Sequence, residues 1–185
     1  MSGQTEDITI SRAILEMITV ANEFCHYLDT CEKRSKREVF EFVNRIGPLL
    51  YLKGSLLPDI EVMDPDANAR FVTEENWESI FTLLRGKFGK DDEYWIIDPE
   101  HINETEPLKA SLAENIADIY QDMKDLILLY QKNTFAAREN AVSECKNLFA
   151  SHWGYRVGKI MIRLHHLLNE PDAEAEHPGS AFGLL

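Results

Sequence analysis

SLAENIADIYQDMKDLILLY, residues 111–130, is the stretch that decides the fold. Ser111 followed three positions later by Glu114 has the spacing of a capping box, in which each side chain satisfies an orphan backbone N–H at a helix start. Behind it Leu112, Ile116, Ile119, Met123, Ile127 and Tyr130 recur at steps of three and four. At about 100° per residue these positions form one apolar stripe, so the spacing predicts an amphipathic helix over 111–130.

The same helix gathers Glu114, Asp118, Asp122 and Asp125 on a face roughly 130° or more from that stripe. Like charges at such spacings repel by on the order of a few tenths of a kcal/mol per pair. Lys124 lies off the face and does not neutralise it. Three readings stay open: a solvated outer surface, an ion-paired seam against another helix, or a divalent-cation site held by Asp118, Asp122 and Asp125.

Toward the C-terminus, one last helix is predicted from about Thr134 to Leu168, bent at Gly154 and Gly158. Its apolar stripe is Val142, Phe149, Trp153, Ile160, Leu164 and Leu167. Arg156 falls inside that stripe, with His152, Cys145 and Arg163 on its edge. A buried arginine needs an acidic partner. Arg156 and His152 are therefore expected to meet carboxylates, and the acid face of 111–130 is the obvious supply.

Toward the N-terminus the same periodicity predicts a helix over 8–30, with Ile10, Ile14, Met17, Ala21, Phe24 and Leu28 inward. A second begins near Ser35 and is interrupted at Gly47-Pro48, since proline removes a backbone donor. The acidic stretch from Asp59 to Arg70 reads as a loop. Thr73 is a good N-cap for a third helix, with Val72 and Trp77 spaced as a hydrophobic staple. Tyr94-Trp95-Ile96-Ile97 is the one place where a short extended segment is expected, though no pairing strand is in view. The fold class is therefore all-α: a single-domain bundle of about five helices over 1–169, with a disordered tail over 170–185.

The 185 residues carry 32 acidic against 19 basic side chains, a formal charge of −13. That field repels nucleic-acid backbones and anionic lipid surfaces. The one basic cluster, Lys33, Arg34, Lys36 and Arg37, is flanked by Glu32 and Glu38 and lacks interleaved aromatics. No stretch approaches a membrane span. The opening MSGQTEDITI has acids where an export signal has cations, and Cys25, Cys31 and Cys145 have no metal-ligand spacing. The cytoplasm is the expected compartment. A di-iron bundle needs paired Glu-x-x-His motifs, and only Glu23 to His26 has that spacing, off the core stripe. His165-His166, near a helix end, reads as cations favoured by the dipole.

At Tyr94-Trp95 with Asp98-Pro99, at ADIYQDMK (117–124) and at His152-Trp153-Gly154 through Leu164-His165, the chain resembles a bacterial family of small all-helical proteins, DUF5063, a domain of unknown function. The chain departs from that pattern at Asn115, where a second acid would stand beside Glu114, and at Arg163, one place out of register. The resemblance implies one small helical domain and carries no assigned activity. It also points to Asp118, Tyr120, Asp122, His152 and Trp153.

No complete catalytic constellation is visible. The leading expectation is a non-enzymatic intracellular interaction module that binds a protein partner through its acidic surface or through Tyr94 and Trp95, with no cofactor. The alternative is a Mg²⁺- or Mn²⁺-dependent hydrolase of a phosphorylated or nucleotide-like small molecule. There Asp118, Asp122 and Asp125 hold the cation, and His152 or Arg156 stabilises developing charge. Glu114, Asp118, Tyr120, Asp122, Asp125, His152 and Arg156 make up the candidate polar site.

Overall fold

Among the residues that the computed structural model describes, 7–97 and 106–170, the chain forms six α-helices and one two-stranded hairpin. In chain order these are α1 (Arg12–Asp29), α2 (Lys36–Ser55), α3 (Glu74–Phe88), β1 (Glu93–Ile96), β2 (Leu108–Ser111), α4 (Leu112–Tyr130), α5 (Phe135–Ser151) and α6 (Trp153–Asn169). The fold is the all-α bundle that the periodicity implies. The tail expected to be disordered lies, from residue 171, outside the described residues.

Helix α4 is the axis of the bundle, packed against α1, α3, α5 and α6. Its predicted stripe is buried at Leu112, Ile116, Ile119, Met123 and Ile127, but so are Ala117, Leu126 and Leu129 outside that stripe. With helices on nearly every side, α4 has almost no solvent face to give its acids. Helix α2 closes the bundle against α1 and α6. No described helix is long and apolar enough to cross a membrane.

The predicted interruption of α2 at Gly47-Pro48 does not occur: the helix runs unbroken through Pro48. One missing N–H is outweighed by the side chains that continue the packing, with Ile46 and Leu50 both in the core. Gly54 allows α6 to close in, since a Cβ there would stand 2.2 Å from Trp153 Cη2.

The long C-terminal helix is divided, which makes six helices rather than about five. Its break falls at His152, with φ −143° and ψ −83°, two residues before the first glycine. The turn brings the chain so close to itself that a Cβ on Gly154 would lie 2.4 Å from the Phe149 carbonyl oxygen. The reversal places Trp153 in the core, where its indole N–H donates to the Cys145 carbonyl at 3.0 Å.

The extended segment does have a partner. Strand β1 pairs antiparallel with β2, in register Glu93 with Ser111, Tyr94 with Ala110, Trp95 with Lys109 and Ile96 with Leu108. Ser111 ends the hairpin and caps α4, its hydroxyl oxygen accepting from the Glu114 N–H at 3.1 Å. The buried Asp92 completes the cap, accepting from the Ala113 N–H at 2.7 Å and from the Ser111 hydroxyl at 2.9 Å. Hairpin and helix start are thus one hydrogen-bonded unit, and a carboxylate at the positive end of α4 gains from the dipole.

Candidate functional site

The acids of α4 face three different structures. Asp118 accepts from the Trp77 indole N–H at 2.9 Å and from Arg156 Nε at 2.6 Å. One turn on, Asp122 lies 2.6 Å from His152 Nδ1, with Arg70 Nη1 at 3.9 Å from its other oxygen. Asp125 turns to the strap before α3 and accepts from the backbone N–H of Phe71 at 2.7 Å and of Val72 at 2.9 Å. Burial raises its carboxyl above the usual carboxylate range, and the two N–H groups pull it partly back. Glu114 alone stands exposed at the helix start.

The stripe is therefore an ion-paired and hydrogen-bonded seam, and Arg156 and His152 meet the acids expected for them. Sequence reasoning missed the other donors. Trp77 is a residue on an amphipathic helix whose indole N–H gives no periodic signal. Arg70 lies on a strap, where periodicity does not apply. That strap is itself pinned to α5, with Asn140 Nδ2 donating to the Asp64 carbonyl at 2.7 Å and Lys146 pairing with Asp59 at 2.6 Å.

Tyr120 is not part of this seam. Its hydroxyl donates to Asp29 of α1 at 2.6 Å, and Lys124 joins the same carboxylate at 2.7 Å. Burial first, and then that hydrogen bond, push the phenol upward. Asn115, where a second acid was expected, donates to the Ser111 carbonyl at 2.7 Å and supports the helix start.

Asp118, Asp122 and Asp125 do not converge on a common centre. Among the described residues no group of three or more His, Cys, Asp or Glu could hold a metal ion. The three cysteines are free and buried, and burial raises each thiol, so none is an activated nucleophile. The basic cluster is dispersed into pairs: Arg37 with Glu41 at 3.1 Å, Arg34 with Glu38 at 3.8 Å, and Lys36 with Asp91.

A second candidate lies further along α6, toward its C-terminal end. Tyr94, Trp95 and Ile96 of β1 form one wall of a groove, and Lys159, Ile162, Arg163 and His166 of α6 form the other. Trp95 is 69% exposed and Ile162 67%, with Ile97 at 72% just beyond. Burial pushes the Tyr94 hydroxyl up to about 12. The expected pair Tyr94 and Trp95 is thus split, with the phenol turned inward and the indole outward. Ile162 had a signal in the sequence, as a large apolar residue off the α6 stripe.

The family model described as a domain of unknown function (DUF5063) matches residues 8–170. A crystal structure of protein BF1032 from Bacteroides fragilis is similar at 30% identity and a TM-score of 0.79, covering 90% of this chain and 98% of that chain. No curated protein matches.

Proposed function

The chain belongs to the DUF5063 family, whose description assigns no activity, and from its own geometry we propose a non-enzymatic helical interaction module. Its partner is a protein, and the docking surface is the groove between β1 and α6. The observation that carries this reading is the exposure of Trp95 and Ile162 on the two walls of one groove. A large aromatic held on a paired strand beside an aliphatic residue is the composition of an interface anchor.

The hydrolase alternative loses its support in the seam. Each carboxylate that would hold a cation already accepts from, or pairs with, a different protein donor, and displacing those donors would break the contacts between α4 and its neighbours. Nucleic acid and membrane surfaces are disfavoured as partners by the charge of −13 and by the pairing of Arg34, Lys36 and Arg37. The cytoplasm belongs to the same proposal, supported by three thiols kept free in the core.

A photo-crosslinking residue in place of Ile97, used in living cells, tests the reading. One dominant protein adduct is expected, lost on Ile162→Asp and retained on Glu114→Gln. An adduct that survives Ile162→Asp, or crosslinking with no preferred partner, would sink it.

A further inference from the structure

Helix α2 changes character along its outer face. Arg37, Glu41 and Arg45 stand there at helical spacing, the glutamate pairing with both arginines. Pro48 and Leu52 continue that line over the next two turns, and charge gives way to apolar surface. Tyr51 is 48% exposed and Leu52 49%. Opposite them α6 brings Val157, Gly158 and Met161, and a groove runs between the two helices. Ser55 completes its lining, which holds no charged side chain. The groove between β1 and α6 differs in this, with Glu93, Lys159, Arg163 and His166 along it.

The walls are set by contacts of their own. The Tyr51 ring meets Phe149 edge-on, with centroids 5.0 Å apart, and Met161 packs against Gly47. Gly158 leaves open space on the α6 side, since an added Cβ there would have nothing within 4 Å. An apolar groove that is already formed suits an apolar occupant, because little has to be ordered when it fills.

The chain carries such an occupant itself. Beyond α6, residues 171–180 read PDAEAEHPGS, with three acids, two prolines and no large apolar side chain. Residues 181–185 read AFGLL. This apolar run is tethered to the very helix that forms one wall of the groove. Asn169 lies eleven residues beyond Gly158 in α6, which is about 17 Å along the helix axis. The eleven residues from Glu170 to Ala181 can span up to about 36 Å, so the groove is within reach. A tether that reaches its site holds its end there at about millimolar effective concentration, so a short apolar segment needs only weak intrinsic affinity.

We propose that residues 181–185 dock in the groove between α2 and α6 of their own chain. Phe182 and the two leucines cover Tyr51, Leu52 and Met161, and the acidic stretch before them stays in water. The occupant is thus a segment of this chain, on a surface separate from the one at β1.

A spin label on the full chain at Ser180→Cys tests this by nuclear magnetic resonance. The three native thiols are buried and raised, so the label goes to the new one. The amide signals of Leu52, Ser55 and Gly158 should be lost to broadening, more than that of Trp95. The signals should return with Phe182→Asp and Leu184→Asp together, and separately with Leu52→Asp. The first pair lies beyond the last helix, so it keeps the test open if Leu52→Asp disturbs the fold.

Signals untouched by the label, broadening centred on Trp95, or broadening indifferent to the tail substitutions would overturn the proposal. A mixture of isotope-labelled chain without spin label and spin-labelled chain without isotope separates the two sources of the segment. Ser55 and Gly158 should keep their signals in that mixture. Their loss there would give the groove to a second copy's segment and overturn docking within the chain.

Discussion

Asp122 Oδ2 lies 2.6 Å from His152 Nδ1, which ties the middle of α4 to the residue that divides α5 from α6. The carboxylate is 1% exposed and the imidazole 31%. Asp122→Asn should therefore destabilise by about 2–3 kcal/mol, less than a fully buried pair, because water reaches the histidine. Urea unfolding of Asp122→Asn, His152→Gln and the double variant measures the coupling. A coupling below about 0.5 kcal/mol would mean that the two residues act independently.

Glycine-to-alanine substitution in a helix ordinarily stabilises by about 1 kcal/mol. At Gly54 and Gly154 the opposite sign is expected. A new methyl at 154 meets the Phe149 carbonyl oxygen at 2.4 Å, and one at 54 meets the Trp153 ring at 2.2 Å. Each variant should lower stability by about 1–3 kcal/mol through forced repacking. Gly158 has nothing within 4 Å of an added Cβ, so Gly158→Ala is the control that should stabilise. Thermal melts of the three variants check this, and a stabilised Gly154→Ala would contradict the close approach.

What was legible in the sequence was the part that repeats. The apolar stripe of α4 names five core residues correctly, because burial of a helix face recurs every three or four positions. The meeting of Arg156 with Asp118 was legible too, since a charge out of phase with its stripe demands a partner. Leu108–Ser111 was not, because a four-residue strand stabilised by its neighbour needs no strand-like composition of its own. The break was legible only as a bend at Gly154, two residues past its actual place at His152, where the chain passes close to the Phe149 carbonyl. Seen from sequence, the acids of α4 look like a surface. Asp118, Asp122 and Asp125 are covered only because α3, the strap and α6 surround them.

Two carboxylates should respond to pH with opposite signs. Glu16 is lowered from 4.5 to about 2, chiefly by its hydrogen bond to Lys53 and then by that to Arg12. Its folded value lies below its unfolded one, so its stabilisation is present above pH 4.5 and lost as pH falls toward 2. Asp125 is raised by burial, so its contribution is full below the ordinary carboxylate range and declines as pH rises through it. Relative to the natural chain, Glu16→Gln should melt lower at pH 7 and converge in acid. Asp125→Asn should gain on the natural chain as pH rises, since an amide oxygen still accepts from Phe71 and Val72. Melting curves from pH 2 to 7 read both, and parallel curves for all three proteins would refute the assignment.

Asp92 lies at the junction between the hairpin and α4, and its removal should be felt on both sides. Asp92→Ala deletes the acceptor for the Ala113 N–H and the partner of the Ser111 hydroxyl. Loss of a helix cap costs about 1–2 kcal/mol. Because Glu93 pairs with Ser111 in the first register position of the hairpin, the strand also loses its anchor. Asp92→Asn should be intermediate: its oxygen still accepts from Ala113, but it has one acceptor oxygen where the carboxylate has two. Hydrogen exchange at the Ala113 amide should accelerate in the order natural, Asn, Ala. Since β1 forms one wall of the groove, docking should weaken in the same order although Asp92 does not line the groove. Unchanged exchange at Ala113 in Asp92→Ala would show that Ser111 caps the helix alone, and the link from cap to groove would then be lost.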